Sequence, residues 1–216
     1  MDYPDSDGEP MAENTEQFDW IVTLKEHLDA LLPGAFVAGD LFWYPVEGDN
    51  RTRLAPDVLV AVGRPKGRRG SYMQWVEANH PPDVVFEIWT PKSDFRHQTE
   101  KLRFYDRHGV SEFITWDHDR HHFAVFLREG GELRPVDTEG GWTSPVLGLH
   151  FLASEGSLLV TAPDGRPLER MVDVIAARGE AERARGEAER ARGEAERERD
   201  RLRARLLALG IDPDQA

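Results

Sequence analysis

Hydrophobic positions near the start of the chain predict a helix followed by a β-hairpin. Residues 16–31 carry apolar side chains at helical spacing, and Pro33 then ends the helix. Two short apolar runs, 35–38 and 41–46, have the length of strands and are separated by a glycine and an aspartate. The folded part of the chain is therefore expected to open with one helix and one hairpin.

Two longer apolar runs are the clearest strand signals in the chain. Residues 56–62 read PDVLVAV and residues 84–89 read VVFEIW, a pattern typical of strands that are buried on both faces. Between them, residues 72–77 indicate a short helix. Residues 95–108 then show helical spacing and end at Gly109, a helix stop signal.

The remainder of the domain is predicted to be mostly β-structure. Residues 111–116 and 121–127 read as two strands joined by a turn, and residues 133–136 and 158–161 add edge strands. Helices and strands therefore mix along the chain. This order predicts an α/β domain built on a central sheet.

The C-terminal part of the chain has a different pattern. Residues 177–183 read ARGEAER, and this heptad recurs at 184–190 and nearly at 191–197. Alanines at alternating spacings of four and three form a narrow seam flanked by Arg and Glu, which predicts a long charged helix and a candidate coiled coil. Each heptad also contains a glycine, which disfavours a helix, so a solvated helix without a partner is the alternative.

These patterns divide the chain into four parts. Residues 1–14 are acidic, contain proline and glycine, and are predicted to be disordered. Residues 15–168 form the α/β domain, residues 169–210 form the charged helix, and residues 211–216 form a tail. The heptad seam makes a homodimer through residues 177–209 the predicted assembly.

Composition narrows the class of protein. The chain has 216 residues, 39% of them hydrophobic, which is enough for one domain with an appendage. It contains no apolar run long enough to cross a membrane and no secretory signal, so we predict a cytoplasmic protein without a membrane partner. The absence of cysteine excludes disulfides and thiolate zinc sites.

Charge argues against a protein that coats nucleic acid. The net charge is −13, although bound cations can offset the charge of a carboxylate-rich site. One local basic stretch follows the first long strand and contains Arg64, Lys66, Arg68 and Arg69. This basic loop is a candidate contact for a phosphate backbone, and an ordinary solvated loop is the alternative.

Three charged residues stand out because of their places in these elements. Asp57 opens the first long strand, Glu87 lies inside the second, and Lys101 follows fourteen residues later in a predicted helix. Two carboxylates at neighbouring strands with one ammonium nearby can hold a divalent metal and stabilise a phosphate. A lone charge inside an apolar strand is costly unless it is paired or bound to a metal. The alternatives are a turn or cap for Asp57 and a solvated helix position for Lys101.

These residues lie in stretches that resemble a known superfamily. The matching stretches are residues 55–60, 81–91, 100–105 and 109–113, together with the charged C-terminal helix and its apolar end. In their order and spacing they resemble the PD-(D/E)XK superfamily, and more narrowly a bacterial group of predicted endonucleases called the Uma-two family. The resemblance implies a restriction-endonuclease-like fold, in which helices flank a central mixed sheet.

The resemblance also implies roles for the three charged residues. Asp57 and Glu87 would bind Mg²⁺ or Mn²⁺ together with the backbone carbonyl of Ile88. In much of the superfamily a lysine stands two residues after the acid, where this chain has Trp89. In the Uma-two group the lysine is displaced to the following helix, which is the position of Lys101.

Four neighbouring residues complete the expected site. Lys92 is a second candidate for the lysine, on a predicted loop. His97 stands where the group usually has an aspartate, and both His97 and Tyr105 share the helix face of Lys101. Asp40, from the predicted hairpin, is an additional acidic contact. We expect His97, Tyr105 and Asp40 to orient the reacting groups.

Together these features predict a divalent-metal-dependent endonuclease that hydrolyses phosphodiester bonds in DNA. The main alternative is a catalytically inactive nuclease-fold module that serves in binding or regulation and oligomerises through its C-terminal helix. The acidic charge of the chain favours this alternative. A third hypothesis is a metal-dependent hydrolase that acts on another phosphoester.

Overall fold

The computed structural model describes residues 2–5, 12–154 and 156–209. The chain divides into two compact units, Met1–Arg170 and Met171–Ala216. The predicted tail at 211–216 lies outside the described residues, as does half of the segment 1–14 that is predicted to be disordered. Of that segment, residues 2–5 contact the fold, since the Tyr44 hydroxyl donates to the carbonyl of Pro4 and the Asn50 amide donates to that of Asp2.

The first unit combines two helices with short and long strands. In chain order they are α1 (Thr15–Leu31), β1 (Ala35–Gly39), β2 (Trp43–Tyr44), β3 (Val58–Val62), β4 (Tyr72–Met73), β5 (Val84–Trp89), α2 (Phe95–His108), β6 (Glu112–Asp117), β7 (His122–Glu129), β8 (Glu132–Val136), β9 (Trp142–Thr143), β10 (His150–Ser154) and β11 (Ser157–Thr161).

A six-stranded sheet in the order β1-β3-β5-β6-β7-β8 forms the centre of this unit. The β5–β6 pair is parallel and the other four pairs are antiparallel. A parallel pair needs a crossover connection, and α2 is that connection. Smaller sheets are formed by β11-β10-β9 and by β2-β4. The predicted fold class, mixed α/β with a central mixed sheet flanked by helices, is confirmed.

Helices cover both faces of the central sheet. Along β5, Phe86 and Ile88 belong to a core that includes α1, whereas Val85 and Trp89 belong to a second core that includes Tyr105 of α2. Side chains alternate between the faces of a strand, so Glu87 lies on the same face as Trp89. The acid therefore points to the layer that contains α2.

Two local predictions are wrong. The predicted hairpin does not form, because β1 pairs with β3 while β2 pairs in parallel with β4. Asp40 adopts φ 46°, a left-handed conformation that redirects the chain between β1 and β2. The segment at 72–77 is a short strand followed by a turn, because the backbone N–H of Tyr72 donates to the carbonyl of Phe42 across the strands.

The second unit is described through one long helix, α3 (Met171–Ala208), so the predicted C-terminal helix is confirmed. Arg and Glu side chains four residues apart form ion pairs along it, namely Arg178–Glu182, Arg185–Glu189 and Arg192–Glu196 at 3.1–3.2 Å. Such pairs support a solvated helix. The coiled coil stays a prediction.

Among the described helices, none combines the length and the apolar character that crossing a bilayer requires.

Candidate active site

Glu87 is held by two donors from α2 at the centre of the site. Its side chain is 1% exposed on β5. The Lys101 ammonium donates to Oε2 at 2.6 Å, and the Tyr105 hydroxyl donates to Oε1. Both oxygens of the buried carboxylate are therefore already bonded to the protein.

Local sequence signals place these two donors. The Asp94 side chain caps the start of α2 by accepting from the His97 N–H at 2.8 Å, and Gly109 ends the helix with φ 94°. Lys101 and Tyr105 are four residues apart and therefore share one face of α2. A residue with a Cβ at position 109 would be strained and would also approach Pro81 at 3.3 Å.

Asp57 reaches the same region from the turn before β3. Its carboxylate is 7% exposed and accepts a hydrogen bond from the backbone N–H of Ile88 at 2.6 Å. This bond ties the turn to the strand residue that directly follows Glu87. The backbone carbonyl of Asp57 in turn accepts from the N–H of Asp40 at 3.2 Å, so the start of β3 is held from two sides.

Gln17 is a site residue that the sequence analysis missed. Its amide lies 3.3 Å from both carboxylate oxygens of Asp57 and donates to the carbonyl of Ile88 at 3.2 Å. It thus contacts two of the three expected metal ligands. The available signal was its position on the buried face of α1, one turn before Trp20 and Ile21. A buried amide on an apolar helix face requires a polar partner.

Two buried carboxyl groups face a single ammonium in the site. Burial, reinforced by Glu87, raises the pKa of Asp57 to about 7. Burial also raises the pKa of Glu87, although Lys101 opposes the shift. Burial alone would lower the pKa of Lys101. The nearby carboxylates of Glu87 and Asp57 outweigh the effect of burial and raise that pKa. Lys101 is therefore the charged partner, and one ammonium does not satisfy two buried carboxylates.

The remaining predicted site residues have different surroundings. Asp40 acts electrostatically on the pair, raising the pKa of both Glu87 and Lys101. His97 is exposed, and its ring edge packs on Trp89 with ring centroids 6.2 Å apart. Partial burial, followed by the charge of Lys101, lowers the pKa of His97. In the described structure His97 forms no hydrogen bond to Glu87.

The surroundings of Trp89 and Lys92 distinguish the two candidate lysines, Lys92 and Lys101. The Lys101 ammonium lies 5.7 Å from the centre of the Trp89 ring, so Trp89 forms part of its surroundings. Lys92 is largely exposed, and its ammonium lies 3.8 Å from Glu13. The fold thus brings the helix lysine, and not the loop lysine, to Glu87.

The predicted nucleic-acid-binding loop is engaged with the protein. Its cations are Arg64, Lys66, Arg68 and Arg69. Lys66 forms an ion pair with Asp29 at 2.6 Å, and Arg69 forms one with Glu77 at 2.6 Å. Arg64 donates to the carbonyl of Glu77. Two of the four cations of the basic loop are therefore paired with carboxylates, and the contact of this loop with nucleic acid stays a prediction.

The candidate donors of the site are oxygen atoms, the ligand type that Mg²⁺ prefers. Within the described ranges, no cluster of three or more His, Cys, Asp or Glu side chains is arranged to hold a metal ion. The candidate ligands are instead two carboxylates, Asp57 and Glu87, and the carbonyl of Ile88. Mg²⁺ prefers oxygen ligands, commonly one or two carboxylates completed by water, so these residues fit the ion.

The central mixed sheet places two buried carboxyl groups, Asp57 and Glu87, beside the Lys101 ammonium. The family model described as "Putative restriction endonuclease", Uma2, matches residues 8–161, and the chain belongs to this family. The predicted family is therefore confirmed. A solved structure titled as a putative nuclease belonging to DUF820, from Anabaena variabilis ATCC 29413, is similar with a TM-score of 0.47 and 16% identity, covering 66% of this chain and 81% of that chain. No curated protein matches the chain.

Proposed function

We propose that this chain is a divalent-metal-dependent endonuclease that hydrolyses phosphodiester bonds in DNA. The observation that carries the proposal is the burial of two carboxyl groups beside a single ammonium. Asp57 and Glu87 share one ammonium, that of Lys101, and burial raises the pKa of both carboxyl groups. A divalent cation would offset this charge, and membership of the family supports nuclease chemistry.

Asp57, Glu87 and the carbonyl of Ile88 would hold Mg²⁺ or Mn²⁺. When bound, the cation supplies Lewis-acid stabilisation of a phosphoryl oxygen and lowers the pKa of the attacking water. Gln17 holds both the Asp57 carboxylate and the Ile88 carbonyl through its amide. Its role in the proposal is to keep these two ligands oriented to the same point.

Lys101 and Tyr105 have separate tasks in the proposed reaction. The Lys101 ammonium would donate hydrogen bonds to the phosphate oxygens as negative charge develops on them. Tyr105 fixes one oxygen of Glu87, which keeps the carboxylate from rotating. Trp89 covers the lysine on one side, which limits the access of water and strengthens the electrostatic interactions. Asp40 and His97 would adjust the charge around the site.

A plasmid-nicking assay tests the proposal. We expect the wild-type chain to nick supercoiled plasmid in Mg²⁺ and to lose this activity in EDTA, because the ligands alone cannot stabilise the transition state. Glu87→Gln should also abolish nicking. Glu112→Gln is the matched control, since Glu112 is an equally buried acid of the same sheet that bonds to Ser144 and Val146, outside the site. Nicking that persists in EDTA or in Glu87→Gln would contradict the proposal.

A second candidate is a catalytically inactive nuclease-fold module. The observation that favours it is that both carboxylate oxygens of Glu87 accept hydrogen bonds from the protein itself, from Lys101 and Tyr105. Such a module would assemble as a homodimer through residues 177–209. Absence of both nicking and calorimetric Mg²⁺ binding, together with a dimer mass by light scattering, would favour this candidate.

A further inference from the structure

A second charged feature lies on α2, outside the carboxylate site. A cavity of about 310 Å³ is lined by arginines from two parts of the chain. We call it the arginine cleft, and its four arginines are Arg51, Arg53, Arg103 and Arg107. Phe104 and His108 complete its helix side. Four guanidinium groups around one cavity are unusual in a chain whose net charge is −13.

The lining of the arginine cleft contains more positive than negative side chains. Among the described residues, none of its four arginines forms an ion pair with a carboxylate. Glu100 lines the cleft but pairs with Arg96 at 2.9 Å. The nearby Asp49 is bonded to the backbone N–H groups of Arg51 and Thr52 and to the Thr52 hydroxyl. The basic loop differs, because there Lys66 and Arg69 are both neutralised.

Part of the arginine cleft is held in place by packing. The Arg53 guanidinium lies 4.8 Å from the centre of the Phe42 ring and 5.9 Å from that of Tyr44, and it donates to the carbonyl of Asn50 at 2.8 Å. Arg103 and Arg107 are exposed on α2, one helical turn apart. An anchored guanidinium loses less conformational entropy when it binds an anion.

The arginine cleft is close to the carboxylate site along one helix. Because an α-helix rises 1.5 Å and turns about 100° per residue, Arg103 and Arg107 lie about 3 and 9 Å beyond Lys101 along the axis of α2, and about 160° and 120° around it. Successive phosphates of one DNA strand are separated by about 3.4 Å along the duplex axis. The offset between Lys101 and Arg107 along the helix axis is two to three such steps, and a DNA backbone that contacts both must also pass around α2.

We propose that the arginine cleft binds backbone phosphates of the same DNA strand whose phosphodiester lies at Asp57, Glu87 and Lys101. This inference rests on the proposed function. Guanidinium groups match phosphate oxygens in a bidentate manner. An acidic chain needs such a local concentration of cations to hold a polyanion. Contacts of this kind position the substrate without reading its sequence.

The salt dependence of DNA binding tests this proposal. Binding of the full-length wild-type chain to a short labelled DNA duplex is measured in EDTA by fluorescence anisotropy across a series of NaCl concentrations. Each phosphate contact contributes about 0.9 to the slope of log affinity against log salt. We therefore expect Arg103→Gln/Arg107→Gln to weaken binding about tenfold or more at low salt and to reduce the slope by about two.

Two further variants make the result specific. Lys66→Gln/Arg68→Gln removes the same number of charges from the basic loop and tests whether that loop contacts the DNA backbone instead of the cleft. Arg103→Lys/Arg107→Lys keeps the charge and should restore most of the slope. Far-UV circular dichroism checks that each variant is folded, which we expect because all four positions are exposed.

The outcomes separate this proposal from the proposed function. If wild type binds DNA and nicks plasmid while Arg103→Gln/Arg107→Gln binds with an unchanged slope, the arginine cleft is overturned and the endonuclease stands. A slope that falls only in Lys66→Gln/Arg68→Gln would also overturn the cleft, in favour of the basic loop. If wild type neither binds DNA nor nicks it, the proposed function fails and the arginine cleft fails with it.

Discussion

At Asp57 the fold places a carboxyl group where its charged form is poorly supported. The group accepts bonds from Ile88 and Gln17, yet burial and the neighbouring Glu87 outweigh them and raise its pKa to about 7. The ordinary value is 3.8. Without a bound cation, the folded chain therefore holds this proton more tightly than the unfolded chain does.

This difference makes stability depend on pH. Because the pKa of Asp57 is raised in the folded state, its protonation stabilises the folded chain. This stabilisation is fully present below pH 3.8 and is lost as the pH rises to about 7. The shift corresponds to about 4 kcal/mol. We expect Asp57→Asn to reduce the fall in the free energy of unfolding between about pH 4 and pH 7, measured by urea unfolding in EDTA.

The control for this prediction is Asp137→Asn, which removes an exposed carboxylate that accepts a hydrogen bond from the backbone N–H of Glu139. Its stability should follow the wild-type pH profile. If Asp57→Asn also loses stability with rising pH as steeply as wild type, Asp57 does not retain the proton in the folded chain.

Residues that interact across long sequence separations were the hardest to predict. Tyr105 could be predicted from its spacing to Lys101 on one helix face, and it does contact Glu87. Gln17 lies forty residues from its partner Asp57, and nothing in the periodicity of α1 identifies that partner. Helical spacing gives neighbours within an element, whereas contacts between elements depend on the tertiary fold.

At the scale of elements, α2 depends on local sequence signals, whereas β1 depends on contacts that are distant in sequence. The bounds of α2 were predicted as residues 95–108, because the Gly109 stop is local in sequence. The pairing of β1 was predicted wrongly, because its partner β3 is chosen by the sheet and not by proximity along the chain. The two carboxylates could be placed at neighbouring strands because their strands are long, apolar and unambiguous.

Helix α3 has glycines in its interior that no tertiary contact requires. A Cβ added at Gly186 or Gly193 meets nothing within 4 Å. Because glycine costs about 1 kcal/mol relative to alanine in a helix, Gly186→Ala and Gly193→Ala should each stabilise α3 by about that amount. Hydrogen exchange of the α3 amides in the full-length chain should become slower.

The reverse substitution supplies the control for α3. Ala188→Gly lies between the two glycines and should speed exchange by a comparable factor. Unchanged protection in Gly186→Ala and Gly193→Ala would mean that factors other than helix propensity limit the stability of α3.

For the whole molecule, a cation that binds only the folded state must raise its stability. Such a ligand contributes about 2.7 kcal/mol at one hundred times its Kd. Each kcal/mol corresponds to about 2–4 °C in the melting temperature of a domain of this size. We expect Mg²⁺ to raise the Tm of wild type by roughly 5–10 °C on this basis.

Glu87→Gln should lose most of this stabilisation, because it removes one of the two carboxylate ligands. NaCl at matched ionic strength controls for the general screening of a chain with a net charge of −13. An equal rise in Tm for wild type and Glu87→Gln would place the bound Mg²⁺ elsewhere on the molecule.

The position two residues after Glu87 has a consequence for how the site can move. Trp89 occupies it, and Lys101 reaches the carboxylate from α2 instead. A lysine on β5 would be fixed by the hydrogen bonds of the sheet, whereas a lysine on a helix moves whenever the helix shifts. Since Arg103 and Arg107 lie on that helix, a strand of DNA pulling on them would also displace the Lys101 ammonium. Binding of DNA at Arg103 and Arg107 and stabilisation of charge by Lys101 would then be coupled through the movement of one helix, α2.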